Sequence, residues 1–384
     1  MKGHLTKRSN GSWSIVIDLG RDPAGKRKQA WRTVRGTKKQ AQEELTRLLH
    51  QMQTGEHVEA HRLTVHEYLE RWLQAYAKPN LAAKTYLRYA VICRGHLIPA
   101  LGNYPLVKVS PLHIEECFAK TRERGRLDGK GALSEQTLLH HHRVLKLAMK
   151  TAVKWRLMVR NPADAVEAPR PDRHEMRALD ERETVKLLDA AKGTRLYVPL
   201  LVTVTTGLRR GELLALRWQD VDLTRGVLTV RQTLEQTPGC LRFKKPKTRK
   251  STRSISLLTL TIEALRTHEI AQKKLRLMIG PAYEDNGLVF PRDDGAVWPP
   301  NGLTGLYFKL VKKANLGKVR FHDLRHSHAT QLLRQGIHPK VVSERLGHAT
   351  IAITLDTYSH VLPGIQEEAA LTLDATLRAI MPQA

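Results

Sequence analysis

The sequence is short of acid and shorter still of cysteine. Across 384 residues, 37 Asp+Glu face 64 Lys+Arg, a formal net charge of +27 at pH 7. The three cysteines, Cys93, Cys117 and Cys240, are scattered without CxxC spacing. That excludes a disulfide framework and a cysteine zinc site, and it fits a reducing cytoplasm. The chain contains no run of about 18 apolar residues and no charged-then-apolar leader, so neither a membrane helix nor export by that route is expected. Internal repeats and low-complexity tracts are also missing. Hydrophobic residues make up 41%, enough to exclude wholesale disorder. At about 100–200 residues per domain, the length suits two or three domains. The charge, with a pI near 10.2, is what stands out. So large a cationic excess repels itself unless a polyanion is present, and nucleic acid is the commonest such partner.

Three segments are legible. Residues 1–57 are basic, with twelve Lys/Arg against four acids between Lys2 and Arg47. Residues 13–17 alternate as a strand does, Asp22-Pro23-Ala24-Gly25 signals a turn, and residues 28–34 can return as a second strand. Thr37 then caps a helix with Ala41, Leu45, Leu48 and Leu49 on one face. A small sheet backed by one helix can enter a major groove, which makes Lys26, Arg27, Lys28 and Arg32 candidate DNA contacts. A solvated basic surface is the plainer alternative. Residues 62–162 read as helical throughout: Thr64 caps a first helix, residues 84–92 form a second, and Pro99 and Gly102 break the pattern. A segment around residues 114–119 and a long helix over 134–153 follow. Lys84 and Arg88 belong to a charge stripe that can track a phosphate backbone. Residues 161–171 are punctuated by proline and read as a linker. Residues 172–384 begin with helices, pass through a β-rich stretch over 227–257, and return to helix.

Four motifs in this last segment carry chemistry. In Thr206-Gly207-Leu208-Arg209-Arg210-Gly211-Glu212, Arg209 sits at a helix-entry corner, where its guanidinium can fork onto a phosphate while Glu212 orients it. Residues 242–253 hold seven cations and no acid, as a hairpin loop facing phosphate would. In Phe321-His322-Asp323-Leu324-Arg325-His326, the i,i+3 spacing brings one imidazole and one guanidinium to the same helical face. Leu346-Gly347-His348 precedes Tyr358 by ten residues. Taken singly, each has an ordinary explanation: a surface arginine, a solvated turn, a structural histidine, a packed tyrosine.

Taken in order, they resemble the tyrosine recombinases, the phage integrase family, over essentially the whole chain. The resemblance implies a multidomain α+β protein. Residues 1–57 would be an arm-site DNA-binding domain, a small β-sheet with a helix, as in lambda-type and conjugative-transposon integrases. Residues 62–162 would be a helical core-site-binding domain. Residues 172–384 would be a mainly α catalytic domain with a small antiparallel sheet and a C-terminal protomer-coupling tail. It places the catalytic set on Arg209, Lys247, His322, Arg325, His348 and the nucleophile Tyr358, supported by Glu212. Lys244, Lys245 and Lys250 crowd the same loop as Lys247 and are the alternatives for its role, and Arg210 adjoins Arg209.

The implied activity is site-specific cutting and rejoining of duplex DNA through a 3′-phosphotyrosyl intermediate and a Holliday junction, integrating or excising a mobile element. The expected partners are core and arm attachment sites, a homotetramer on DNA, an excisionase and a DNA-bending host protein, in the cytoplasm and without a membrane. Elementary chemistry agrees. Two arginines can hold both non-bridging phosphate oxygens, a histidine can serve as base near neutral pH, and a lysine can protonate the departing 5′-oxygen. Bond energy is conserved in the phosphotyrosine, so no ATP is needed, and there is no GxxxxGK[ST] sequence. No acid cluster with metal-ligand spacing stands near the motifs, so no metal cofactor is expected. A type IB topoisomerase-like enzyme shares this chemistry, and a non-enzymatic DNA-binding protein would share the charge.

Overall fold

A computed structural model of the chain describes residues 3–9, 11–21, 25, 27–53, 63–129, 131–172, 176–245, 252–359 and 365–380. Two compact units make up the chain, Met1–Arg173 and His174–Ala384.

The first unit opens with a three-stranded antiparallel sheet in the order β1 (Gly3–Ser9), β2 (Ser12–Arg21), β3 (Arg27–Arg35), followed by the helix Lys38–Gln53. Strand β1, absent from the sequence reading, is mostly polar and exposed, so no hydrophobic alternation announces it. Register aligns Leu5, Ile15 and Arg32 on one face and His4, Val16 and Trp31 on the other. Ile15 and Ile17 pack with Leu45 and Leu48 of the helix in a small core. Thr37 begins the helix, its hydroxyl accepting from the Gln40 amide at 3.3 Å.

A larger core in the same unit gathers Val65, Tyr68, Leu69, Trp72, Leu97, Ile114, Leu145 and Met149 from several helices. Thr64 and Glu67 form a reciprocal cap at Val65–Trp72. The break expected at Pro99 does not occur, and a second helix likewise runs through a proline. Val65–Trp72 runs through a π turn, Leu73–Ala77, into Lys78–Asn80, and Ala83–Ile92 runs through Cys93–Leu97 into Ile98–Leu101. Pro79 and Pro99 each stand second after such a π turn. The widened turn relieves the clash of a proline ring with the preceding carbonyl and absorbs its missing N–H. The proline-rich linker is also less free than its composition suggests. Pro162 and Ala163 are buried in a short 3₁₀ turn, and the Asn161 amide donates to the Lys146 carbonyl at 3.2 Å.

In the second unit, one core unites residues from Leu179 to Leu324, including Leu200, Leu213, Leu228, Ile255, Leu303 and Tyr307. Its β region departs from the expected single hairpin. Strands β4 (Val221–Asp222), β5 (Val227–Val230) and β8 (Arg253–Ser256) form one antiparallel sheet. Strands β6 (Thr233–Thr237) and β7 (Cys240–Lys244) form a separate ribbon between β5 and β8. The cationic stretch therefore spans the end of β7 and the segment leading to β8, rather than the tip of a β5–β8 hairpin.

Candidate active site

Two helix ends, both closed by left-handed glycines, frame the site. Tyr197–Thr206 ends at Gly207 (φ 68°) and Pro339–Leu346 ends at Gly347 (φ 67°). A side chain at either glycine would be strained and would displace its neighbours. A Cβ at Gly207 would stand 2.7 Å from Leu346 Cδ2 and 2.8 Å from His328 Cδ2, and one at Gly347 would stand 2.9 Å from Arg253 Cδ. The two ends are tied together by Arg325, from the helix Asp323–Arg334. Its Nη1 donates to the Gly207 carbonyl at 2.9 Å and its Nη2 to the Leu346 carbonyl at 2.6 Å. Carbonyls at helix C-termini carry partial negative charge and suit a guanidinium. Burial, with Arg209 nearby, pushes Arg325 down to about 9, so it remains charged at neutral pH.

Arg209 occupies the N-cap of the five-residue helix Arg210–Leu214. Its Nη1 donates to Glu212 Oε1 at 2.7 Å and its backbone amide donates to Oε2 at 3.0 Å. Arg210 points elsewhere, donating to Thr304 Oγ1 at 2.5 Å. On its other side, Glu212 receives Arg253 Nη2 at 2.9 Å. Burial alone would raise Glu212, but the Arg253 hydrogen bond and the two guanidinium charges outweigh it and hold the carboxyl down to about 2.

Tyr358 ends the helix Ile351–Tyr358 and is 2% exposed, its ring packed with Ala329, Leu333, Val342 and Leu346. Burial pushes its phenol up to about 12 against the pull of Arg325. Its hydroxyl meets His326 Nδ1 at 2.7 Å. His348 sets its Nδ1 against Thr354 Oγ1 at 2.8 Å, which fixes the ring. Burial lowers His348 to about 4, and it lowers His322 as well, with Arg325 and Arg209 adding to that effect.

Arg209, His322, Arg325, His348 and Tyr358 thus line one pocket, together with His326, Gly347, Ala349, Ile353 and Thr357. Arg209 and Arg253 share the one carboxylate of Glu212, and Arg325, held by two backbone carbonyls, adds a third guanidinium, a positive excess that suits an anion such as a phosphate diester. Lys247, and Lys250 beside it, lie outside the described residues. Of the neighbouring lysines, Lys244 is paired with Glu235.

Sequence reasoning missed three participants: Arg253, His326 and Thr354. Arg253 was counted among the loop cations, yet it is buried on β8, where 253 and 255 alternate inward together. That period-two register was its signal. His326 follows His322 by four residues and shares its helical face, which the i,i+3 reading passed over. Thr354 carries no local signal, since only the turn back from His348 gives it a partner.

The DNA-contact candidates scatter. Lys84 and Arg88 are exposed on Ala83–Ile92. Arg27 is paired with Asp18 at 2.7 Å, and Arg32 lies on the helix-facing side of the sheet, 3.6 Å from Glu44. Lys26 lies outside the described residues, as does the side chain of Lys28.

Comparison with known proteins places this architecture. The phage integrase family matches residues 177–364, and the SAM-like N-terminal domain of phage integrases matches residues 64–121. The chain thus carries the phage integrase domain of the tyrosine recombinases, which cut and rejoin DNA, together with their SAM-like N-terminal domain. A tyrosine recombinase XerC-like protein of Caldanaerobacter subterraneus is 28% identical, covering 97% of this chain and 98% of its own. The ICEBs1 integrase of Bacillus subtilis is 26% identical, covering 97% and 100%. Among solved structures, the Tn1549 transposon integrase with a circular intermediate DNA superposes with a TM-score of 0.65 at 23% identity, over 77% of this chain and 95% of that one. A lambda integrase tetramer bound to a Holliday junction gives 0.55 at 19%, over 90% and 95%.

Proposed function

We propose that this protein is a site-specific integrase whose Tyr358 attacks a scissile phosphate, leaving a 3′-phosphotyrosyl bond and a free 5′-hydroxyl. Strand exchange through a Holliday junction and rejoining then integrate or excise a mobile element. The observation that carries this reading is the convergence of Arg209, His322, Arg325, His348 and Tyr358, drawn from four separate motifs, on one pocket. Arg209 and Arg325 take the non-bridging oxygens, and their charge stabilises the phosphorane-like transition state. His348 donates to a phosphate oxygen, and Lys247 protonates the departing 5′-oxygen. Glu212 keeps Arg209 aimed and stays ionised.

Residues 1–57 bind arm sites, residues 62–162 bind the core duplex, and residues 172–384 do the chemistry. The active form is a homotetramer on DNA in the cytoplasm, with an excisionase and a DNA-bending host protein setting direction. Support for the assembly comes from the fold shared with the lambda integrase tetramer, and support for a mobile element comes from the transposon and ICEBs1 relatives.

The test is covalent-adduct formation on a nicked suicide duplex carrying the core site, which a direct repeat in the DNA flanking the gene identifies. Wild type should form the adduct, and Tyr358→Phe should bind the duplex and form none. No adduct from wild type overturns the proposal. Relaxation of a plasmid lacking the core site would instead indicate a topoisomerase.

A further inference from the structure

Resting on the reading of Tyr358 as nucleophile, we propose that His326, rather than His322, is the base that takes the tyrosine proton. Its Nδ1 lies 2.7 Å from Tyr358 Oη, within the reach required of a general base. The geometry is built in. His326 rides on the Asp323–Arg334 helix, one residue after the arginine that bridges the two helix ends. The start of that helix is pinned by Asp323, which receives the Arg320 amide at 2.7 Å and its Nη2 at 2.8 Å. The tyrosine ring is held by its own apolar cluster. His322 stands beside His326, ring edge to face with centroids 5.0 Å apart, while the hydrogen bond of the phenol is made to His326.

The groups around His326 explain why the base rests until a phosphate arrives. His322, Asp323 and Arg325 lie on or at the start of its own helix, Arg320 just before it, and His348 and Tyr358 face it from the following elements. Cations dominate that set, and burial disfavours the imidazolium first of all, so His326 is neutral and Tyr358 stays a phenol. A phosphate diester in the pocket supplies the missing negative charge and makes an imidazolium tolerable there. In the attack, the Oη–H bond breaks as Nδ1–H forms, and the phenolate oxygen bonds to phosphorus as the P–O5′ bond breaks. The proton for O5′ comes from the general acid assigned above to Lys247. In rejoining, the 5′-hydroxyl attacks and the imidazolium returns its proton to the tyrosine oxygen.

The test compares wild type with His326→Asn, which keeps an acceptor near the Nδ1 position but cannot take a proton. Adducts are measured in single turnover on the nicked core duplex and on the same duplex with a 5′-bridging sulfur, a leaving group that needs no acid. The expected result is duplex binding unchanged, adduct formation about 100-fold slower or worse, and the defect persisting with sulfur. A rate within threefold of wild type overturns the proposal, as does a defect that sulfur erases. Should the variant not fold, ¹⁵N-histidine NMR of the wild-type chain decides. An unprotonated His326 Nδ1 whose resonance moves in Tyr358→Phe supports the proposal, and a protonated Nδ1 overturns it. Wild type without any adduct would instead fail the functional reading.

Discussion

Arg253 and Glu212 form a buried ion pair at 2.9 Å, 6% and 5% exposed at their side chains. Through Glu212 the pair reaches Arg209 in the pocket, and the Arg253 Nε also donates to the Arg345 carbonyl at 2.6 Å. The carboxylate joins one arginine that belongs to the architecture to another that lines the pocket and faces solvent.

Removing that carboxylate charge should be felt twice. Glu212→Gln leaves a buried guanidinium without its counter-charge, a loss of about 3–5 kcal/mol, seen as a lower thermal midpoint of the full chain. The pH dependence has a definite sign. Glu212 has its folded-state pKa depressed from 4.5 to about 2, so its contribution is complete above about pH 4.5 and fades as the pH falls toward 2. The gap between wild type and variant should therefore close over that interval. A constant gap would show that the charge is not what stabilises.

Gly207→Ala should damage chemistry more than binding. The left-handed backbone costs an alanine about 1–2 kcal/mol, and its Cβ would press on Leu346 and His328. Because the Gly207 carbonyl holds Arg325, the expected outcome is an adduct rate down about tenfold or more with duplex affinity nearly unchanged. An unaltered rate would detach Arg325 from that carbonyl.

Thr354→Val keeps the shape and deletes the hydroxyl that meets His348 Nδ1 at 2.8 Å. Orientation supplied by a second residue is commonly worth about 10–100-fold. Single-turnover cleavage should slow by that order, and Thr354→Ser should restore it. Failure of serine to rescue would point to packing instead.

Salt dependence should separate the basic residues. Lys84→Ala and Arg88→Ala, both exposed on one helix, should each lower the slope of log affinity against log salt by about one. Arg32→Ala, whose guanidinium faces Glu44, should leave the slope unchanged. Equal effects from all three would mean that Arg32 abandons Glu44 for phosphate.

Removing residues 364–384 should abolish synaptic tetramers while leaving single-site binding intact, as read by native gel and light scattering on the core duplex. The helix Ile365–Ile380 carries Leu371, Leu373 and Leu377 at 65%, 60% and 49% exposure, an apolar surface left uncovered by the described residues. Undiminished tetramer formation would exclude a coupling role for this tail.

By itself the sequence determined what depends on order and local period. The caps at Thr37, Thr64, Ser134 and Asp180, the helix ends at Gly207 and Gly347, and the pairing of His322 with Arg325 are encoded within a few residues. The succession from Arg209 to Tyr358 was enough to suggest the family. Tertiary structure decided which residues actually meet. The helices run through π turns before Pro79 and Pro99 because the turns themselves, at Leu73 and Ala77 and at Cys93 and Leu97, are buried in one core. Strand β1 exists because β2 offers it an edge, not because its own residues demand one. Arg253 becomes a buried counter-charge instead of a loop cation because β8 turns it inward onto Glu212, 41 residues earlier. Tyr358 finds His326 across 32 residues. Proton transfer and ion pairing act over a few ångströms of space, and separation along the chain does not fix that distance.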